Sequence, residues 1–356
     1  MNFVLFGAQG IALSAYQAFH HLYPQRVIRC FLVSQPEKNA SVLEGIPVVD
    51  IASFAEDLSQ EEKNQTEVLI ATPENVMEDI ERTLASYGFH YSARLTSSRW
   101  AKLMGYYYVC DKKYMPLSAL PIGCHRAGIR LFMAKFYKDK PLTGNYVLPP
   151  WVTPIQVGAS LCKERVADIL DCDGENISAK NVNYSELTAL YWIWKNCLEE
   201  GGEYFGLSHY RRILELSEDD VLRLKSNQVD VVLPYPMPYA PDIEEHHRRY
   251  LAEHDWEALL TALRELQPEY ARAFPEILHQ QYLYNYNIIL AKREVLEKYC
   301  AWLFPILFRI EELNDSDGKK VPNRYIGYVG ESLETLYFMY NKTKLKIAYT
   351  GIKFLV

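Results

Sequence analysis

Apolar and polar stretches alternate along the chain in two successive α/β patterns. Asn2–Phe6 is an apolar run of strand length. Gly7-Ala-Gln-Gly10 follows, and Ile11, Ala15, Phe19 and Leu22 then recur on one helical face. Further strands are expected at 27–33, 46–49, 67–71 and 89–95, with a helix over 74–86. Strands alternating with helices imply a parallel, doubly wound sheet, a Rossmann-like domain over residues 1–105. Residues 106–126 begin with Tyr106-Tyr107-Tyr108, hold Pro116 and Pro121, and read as a linker.

A second domain is expected over 127–356. Residues 130–136 and 155–159 are apolar strand candidates, and the Asp-, Asn-, Gly- and Ser-rich start of 171–197 is a polar loop. Asn183 or Ser185 can cap the helix that follows, whose Leu187, Leu190, Tyr191 and Trp194 share one face. Glu186 is either a favourable charge at that helix start or a carboxylate turned to a ligand. An apolar run at 204–207 then ends in Ser208-His209-Tyr210-Arg211-Arg212. A strand at 229–233 leads into residues 234–242, whose four prolines exclude regular structure over a lid-length loop. The helix expected over 295–313 is apolar on most sides and reads as core.

Composition narrows the function classes. The 356 residues suit about two domains, and a net charge of -7 gives no global basic character for nucleic acid. Anion binding must therefore come from local clusters. The seven cysteines form no C-x-x-C pair, which argues against a zinc site or disulfide framework and for a reducing cytoplasm. The first residues lack the basic segment of a signal peptide, and the longest apolar block, 299–308, is about half a membrane span.

Two stretches point to phosphate chemistry. The Gly7–Gly10 turn offers a helix start to a phosphate, but its glycines are spaced G-x-x-G and the second strand ends in Ser34, not an acidic ribose partner. A packing turn explains it as well. The second stretch is stronger. In open α/β sheets ligands sit at the carboxyl ends of strands, where His209, Arg211 and Arg212 stand, and arginine binds phosphate bidentately. A diphosphate is the expected ligand, with surface ion pairing as the alternative. If the strand continues, alternation puts 209 and 211 on one face and 210 and 212 on the other.

The ordered segments NISAKNVNYSELTALYWIWKN, FGLSHYRRIL, VDVVLPYP, LYNYNIILAKREVLEKYCAWLFPILF and RYIGYVGESLETLYF resemble a family of bacterial glycosyltransferases. That family was filed as a domain of unknown function and occurs in capsular and surface-polysaccharide gene clusters; some members are similar to galactofuranosyltransferases. The resemblance covers about residues 129–350. It implies a GT-A-like fold, a UDP-sugar donor (galactofuranose or galactose first), an oligosaccharide or lipid-linked acceptor, and work in the cytoplasm, with the inner face of the membrane as one option within it.

The D-x-D pair with which many such folds hold a divalent metal is replaced here by Ser208-His209-Tyr210-Arg211, so metal independence is favoured. If manganese or magnesium binds, Asp171, Asp173 and Glu175 are the first suspects. The donor set is His209, Arg211, Arg212, Asn183 and Glu186. An inverting transfer needs a carboxylate base, and the candidate is Glu331, in Gly330-Glu331-Ser332, with Glu334 as rival. A glycine before it allows close ligand approach, and a helix starting at Ser332 would favour the charge. Asn285 or Asn287 among tyrosines suits a sugar, and His246 and Arg249 suit donor or acceptor phosphates; Arg324 is a weaker candidate. The competing readings are a nucleotide-dependent oxidoreductase or epimerase, led by the first glycine turn, and a non-catalytic glycan-binding protein.

Overall fold

The apolar run Asn2–Phe6 lies inside a six-stranded sheet, and its residues Val4 and Leu5 are fully buried. The computed structural model describes residues 2–142, 144, 146–199, 201–316 and 324–355. The chain forms two units: one runs to Tyr114 and includes Met237–Ala240, the other comprises Met115–Pro236 and Pro241–Leu355.

In the first unit the strand order is Val42–Leu43, Ile46–Asp50, Ile28–Val33, Asn2–Phe6, Thr66–Ile70, Tyr91–Arg94. The last five are mutually parallel, and the order reverses direction at Asn2–Phe6, as in a doubly wound sheet. Strands buried on both faces need apolar side chains throughout, which explains the near-continuous runs in the sequence. The aromatic stretch read as a linker is different. Ser97–Asp111 is a 15-residue helix capped by the Thr96 side chain, and it buries Trp100, Met104, Tyr107 and Tyr108. Trp100 donates its ring N–H to Ser14 Oγ on Gly10–Leu22, so this helix belongs to the first unit and its aromatic residues are core.

The Gly7–Gly10 turn opens the helix Gly10–Leu22, as expected. A Cβ at Gly10 would lie 2.4 Å from Met237 Cγ, so packing alone accounts for glycine there.

In the second unit a seven-strand path runs Ile347–Thr350, Val231–Pro234, Ile289–Lys292, Tyr204–His209, Ile129–Lys135, Val152–Gln156, Ile169–Leu170. Ile289–Lys292 is antiparallel to both neighbours, and the other pairs are parallel. The sheet is thus the mixed α/β type expected of a glycosyltransferase-like domain. Leu131, Val232, Leu290 and Ala348 meet in its core.

Three local expectations change. The chain reverses at Tyr210-Arg211, and Arg212–Leu214 returns antiparallel to Tyr204–His209 with His209 opposite Arg212. The strand does not continue, so alternation no longer pairs 209 with 211. The helix Leu187–Asn196 has Glu186 at its cap position with no side-chain cap bond; neither Asn183 nor Ser185 serves. The last long helix starts at Tyr325 and runs to Tyr340, so Glu331 lies in its second turn, away from the terminal N–H groups that would favour its charge. Among the described residues no helix is long and apolar enough to cross a membrane.

Candidate functional site

Four pieces of the second unit meet around Tyr286-Asn287. The hairpin brings His209 and Arg212. The residue before Leu187–Asn196 brings Glu186. The helix Tyr325–Tyr340 brings Glu331, and the segment before Ile289–Lys292 brings Tyr286 and Asn287 themselves.

Tyr286 and Asn287 both take left-handed backbone, with φ of 74° and 49°. Two consecutive non-glycine residues in that region are costly, and such strain collects where side chains must be aimed. The result is a short knot in which the carbonyl, N–H and hydroxyl of Tyr286 are all in use. The Tyr286 carbonyl accepts from His209 Nε2 at 2.6 Å. Its backbone N–H bonds the Glu331 carboxylate, and its hydroxyl is hydrogen-bonded by Asn285 and Arg212. The Arg212 guanidinium carbon lies 4.2 Å from the centre of the Tyr286 ring, a cation–π distance. Asn287 Nδ2 donates to Glu186 Oε1 at 2.6 Å and to the Gly327 carbonyl at 3.1 Å.

A second layer surrounds the knot. Glu186 Oε1 is 3.9 Å from His209 Nε2, and its Oε2 is 3.9 Å from an Arg324 guanidinium nitrogen. Arg324 also donates to Ser185 Oγ at 2.9 Å, and Ser185 is itself left-handed with φ 49°. Glycine at 330 is required because a Cβ would fall 2.7 Å from Asn287 Oδ1 and 2.8 Å from Leu187 Cδ1. It lets the helix approach Asn287, where the sequence suggested room for a ligand.

The electrostatics separate the roles. Burial lowers the proton affinity of His209, reinforced by Arg212 against the opposing pull of Glu186. The ring is therefore a neutral donor to a carbonyl and not a cation for a phosphate. Arg212 and Arg324 carry the fixed positive charge. Burial first, then Glu186, raises Glu331 to about 8, while the Tyr286 N–H, Arg212 and Arg324 pull it down. Glu331 keeps part of its surface accessible. Glu334, one turn further along, is 1% exposed and neither oxygen has a partner; burial, then Glu331 and Glu186, raise it well above the glutamate range.

The remaining candidates divide. Asn183 lies on the neighbouring short helix Asn181–Tyr184 with Oδ1 buried and unpartnered. Arg211 sits in the hairpin turn beside Tyr210, 5.2 Å from its ring, and acts on the half-buried Asp139. It is absent from the charges acting on Glu331. Asn285 and Asn287 are buried and bind the knot rather than an open surface. His246 is half-buried and driven down to about 4 by burial and Arg249, so it is neutral; Arg249 is exposed. Tyr286 carries most of the contacts yet was not singled out by the sequence, where it is one of three tyrosines in a row of alternating amides.

In the acidic run 171–175, Asp171 and Glu175 already have partners within the protein. Asp171 is fully buried and accepts from the Gly158 and Ala159 N–H groups and from the Ser178 and Thr188 hydroxyls. Glu175 accepts from Tyr191 and pairs with Lys195. Among the described residues no group of three or more His, Cys, Asp or Glu side chains is arranged to hold a metal ion.

Residues 142–342 match the family described as "Domain of unknown function (DUF4422)". No curated protein matches the chain. Among solved structures, the apo form of WbbM, described as a bifunctional glycosyltransferase, is similar in fold at 24% identity and a TM-score of 0.55. The alignment covers 64% of this chain and 45% of that one, so this chain spans less than half of that protein.

Proposed function

This chain belongs to the DUF4422 family, and we propose that it is a glycosyltransferase that moves a sugar from a nucleotide-sugar to a glycan acceptor. The observation that carries the reading is the double use of Tyr286: its N–H holds the Glu331 carboxylate, and its hydroxyl and ring hold Arg212. On this reading Glu331 is the base and Arg212 the phosphate-binding cation, both held by one residue. The fold shared with a bifunctional glycosyltransferase supports the same class.

The finer reading follows from chemistry. Glu331 accepts the proton of the acceptor hydroxyl as that oxygen attacks the anomeric carbon of the donor sugar. The bond from that carbon to the diphosphate oxygen breaks, and the nucleoside diphosphate leaves with the electron pair and added negative charge. Arg212 and Arg324 face that charge, a role that fixed cations in a partly dry site perform well. With a base on the acceptor side, the transfer inverts the anomeric centre. No metal step is needed for this balance. A UDP-hexose donor, with galactose or galactofuranose first, and a growing surface or capsular polysaccharide at the inner membrane face follow from the motif resemblance.

Calorimetric titration of UDP, with and without manganese, tests the reading. Binding without metal that falls on loss of Arg212 is the expected result. Absence of UDP binding under both conditions overturns it.

A further inference from the structure

The site face of the helix Tyr325–Tyr340 continues outward from Glu331. Residues three and four apart on a helix are neighbours, so Tyr328 lies beside Glu331 on one side and the preceding Arg324 on the other. Arg324 and Glu331 both act on Glu186 or are acted on by it, which fixes the side of the helix that faces the knot. Tyr328 is half-buried between them. Its ring stacks on Tyr250, with centroids 5.1 Å apart and 26° between planes. Tyr250 is 48% exposed, and His246 meets it edge-on at 5.2 Å. The segment carrying these residues is anchored to the same helix, because the buried His247 hydrogen-bonds Ser332, the residue after Glu331.

We propose that the stacked Tyr250–Tyr328 pair is the binding platform for the acceptor's sugar ring, one helical turn from Glu331. This rests on the glycosyltransferase reading and adds the location and chemistry of the acceptor site. A tyrosine pair half open to water is a poor core element, since its apolar faces are incompletely covered. It is a good surface for a sugar, whose ring carries C–H groups on one face and hydroxyls at the rim. The aromatic faces take the C–H groups. The neutral His246 imidazole supplies a donor and an acceptor for the rim. The cations Arg212 and Arg324 lie on the knot side and Tyr250 on the open side, so a ring seated on the platform brings a hydroxyl toward Glu331 while the diphosphate keeps the arginines.

The test separates the two ligands. Saturation-transfer NMR with methyl β-galactopyranoside reads the platform, and calorimetry with UDP reads the donor side, on wild type, Tyr250→Ala, Tyr328→Ala and the two phenylalanine variants. Pyranoside affinity is expected to fall about fivefold to tenfold in each alanine variant and to stay within about twofold in the phenylalanine ones, with UDP affinity unchanged in all. The phenylalanine variants keep the stack, so they also control for misfolding. If wild type binds UDP but not the pyranoside, or the alanine variants lose UDP and keep the pyranoside, the platform assignment is wrong. If wild type binds neither, the glycosyltransferase reading falls with it.

Discussion

His209 and Arg212 are directly opposed across the two-residue turn Tyr210-Arg211. Opposed residues of an antiparallel pair project from the same face of a sheet, so the histidine and the second arginine share the site. Both reach Tyr286, one through its carbonyl and the other through its ring. Arg211 is left on the turn with Tyr210 and Asp139.

This register ranks the two arginines. Arg212→Ala is expected to weaken UDP binding by about 10- to 100-fold, the loss of a charge-assisted hydrogen bond worth about 1.5–3 kcal/mol. Arg211→Ala is expected to change it by less than about threefold. Calorimetric dissociation constants for both variants check the order. A reversed order would show that the diphosphate approaches from the turn and not from the knot.

The turn also shows where sequence reading stops. The parallel sheet of the first unit was legible because buried strands demand apolar runs, and residues 3–6 and 30–33 supply them. The hairpin was not, because Tyr210 and Arg211 take no positive φ and carry none of the Gly or Asn that marks a tight turn. The same holds for Tyr286-Asn287, where left-handed backbone falls on a tyrosine. Gly327 and Gly330 disguised the start of Tyr325–Tyr340, since glycine in a helix interior costs about 1 kcal/mol relative to alanine. Glycine survives at 330 because Asn287 and Leu187 occupy the space a side chain would need. Glu331 and Arg212 were legible as chemistry, whereas their meeting on Tyr286 depends on contacts 45 and 74 residues apart in the chain.

Asn287 joins strain to function, and the two can be parted. Asn287→Ala removes both amide bonds, leaves Glu186 Oε1 without that donor, and puts alanine at φ 49°. A loss of about 2–4 kcal/mol in unfolding free energy is expected. Asn287→Gly loses the same bonds but accepts the backbone, so it should be more stable than the alanine variant by about 1 kcal/mol. Urea midpoints of the two variants measure the difference. Equal midpoints would mean that the left-handed conformation relaxes when the amide is gone.

Glu331 titrates in the working range. Its folded value of about 8 lies above the ordinary glutamate value, so the free base accumulates only as pH rises toward and past 8. Transfer to an acceptor is therefore expected to increase with pH on that limb. Glu331→Gln should lower kcat by about 10²- to 10⁴-fold, remove the limb and leave UDP affinity nearly unchanged. A pH profile of wild type together with UDP titration of the variant decides it. A variant that loses UDP binding in parallel with turnover would assign Glu331 to the donor instead.

Glu334 makes a prediction about stability that needs no substrate. It is buried, neither oxygen has a partner, and its proton affinity is raised well above that of an unfolded glutamate. Between the two values the folded protein holds a proton that the unfolded chain releases. Stability must then fall as pH rises through that window, with a slope of about 1.4 kcal/mol per pH unit for one such group. Below the unfolded value both states are protonated and the slope vanishes. Glu334→Gln keeps the neutral shape and has no proton to take up, so its melting temperature should gain on wild type as pH rises from about 5 to about 8 and match it at the acid end. Glu334→Leu, which removes both oxygens, should show the same pH trend with a constant offset from altered packing. If the difference between Glu334→Gln and wild type does not change with pH, Glu334 is ionised in the folded protein, and a cation must move onto it when the chain is in solution.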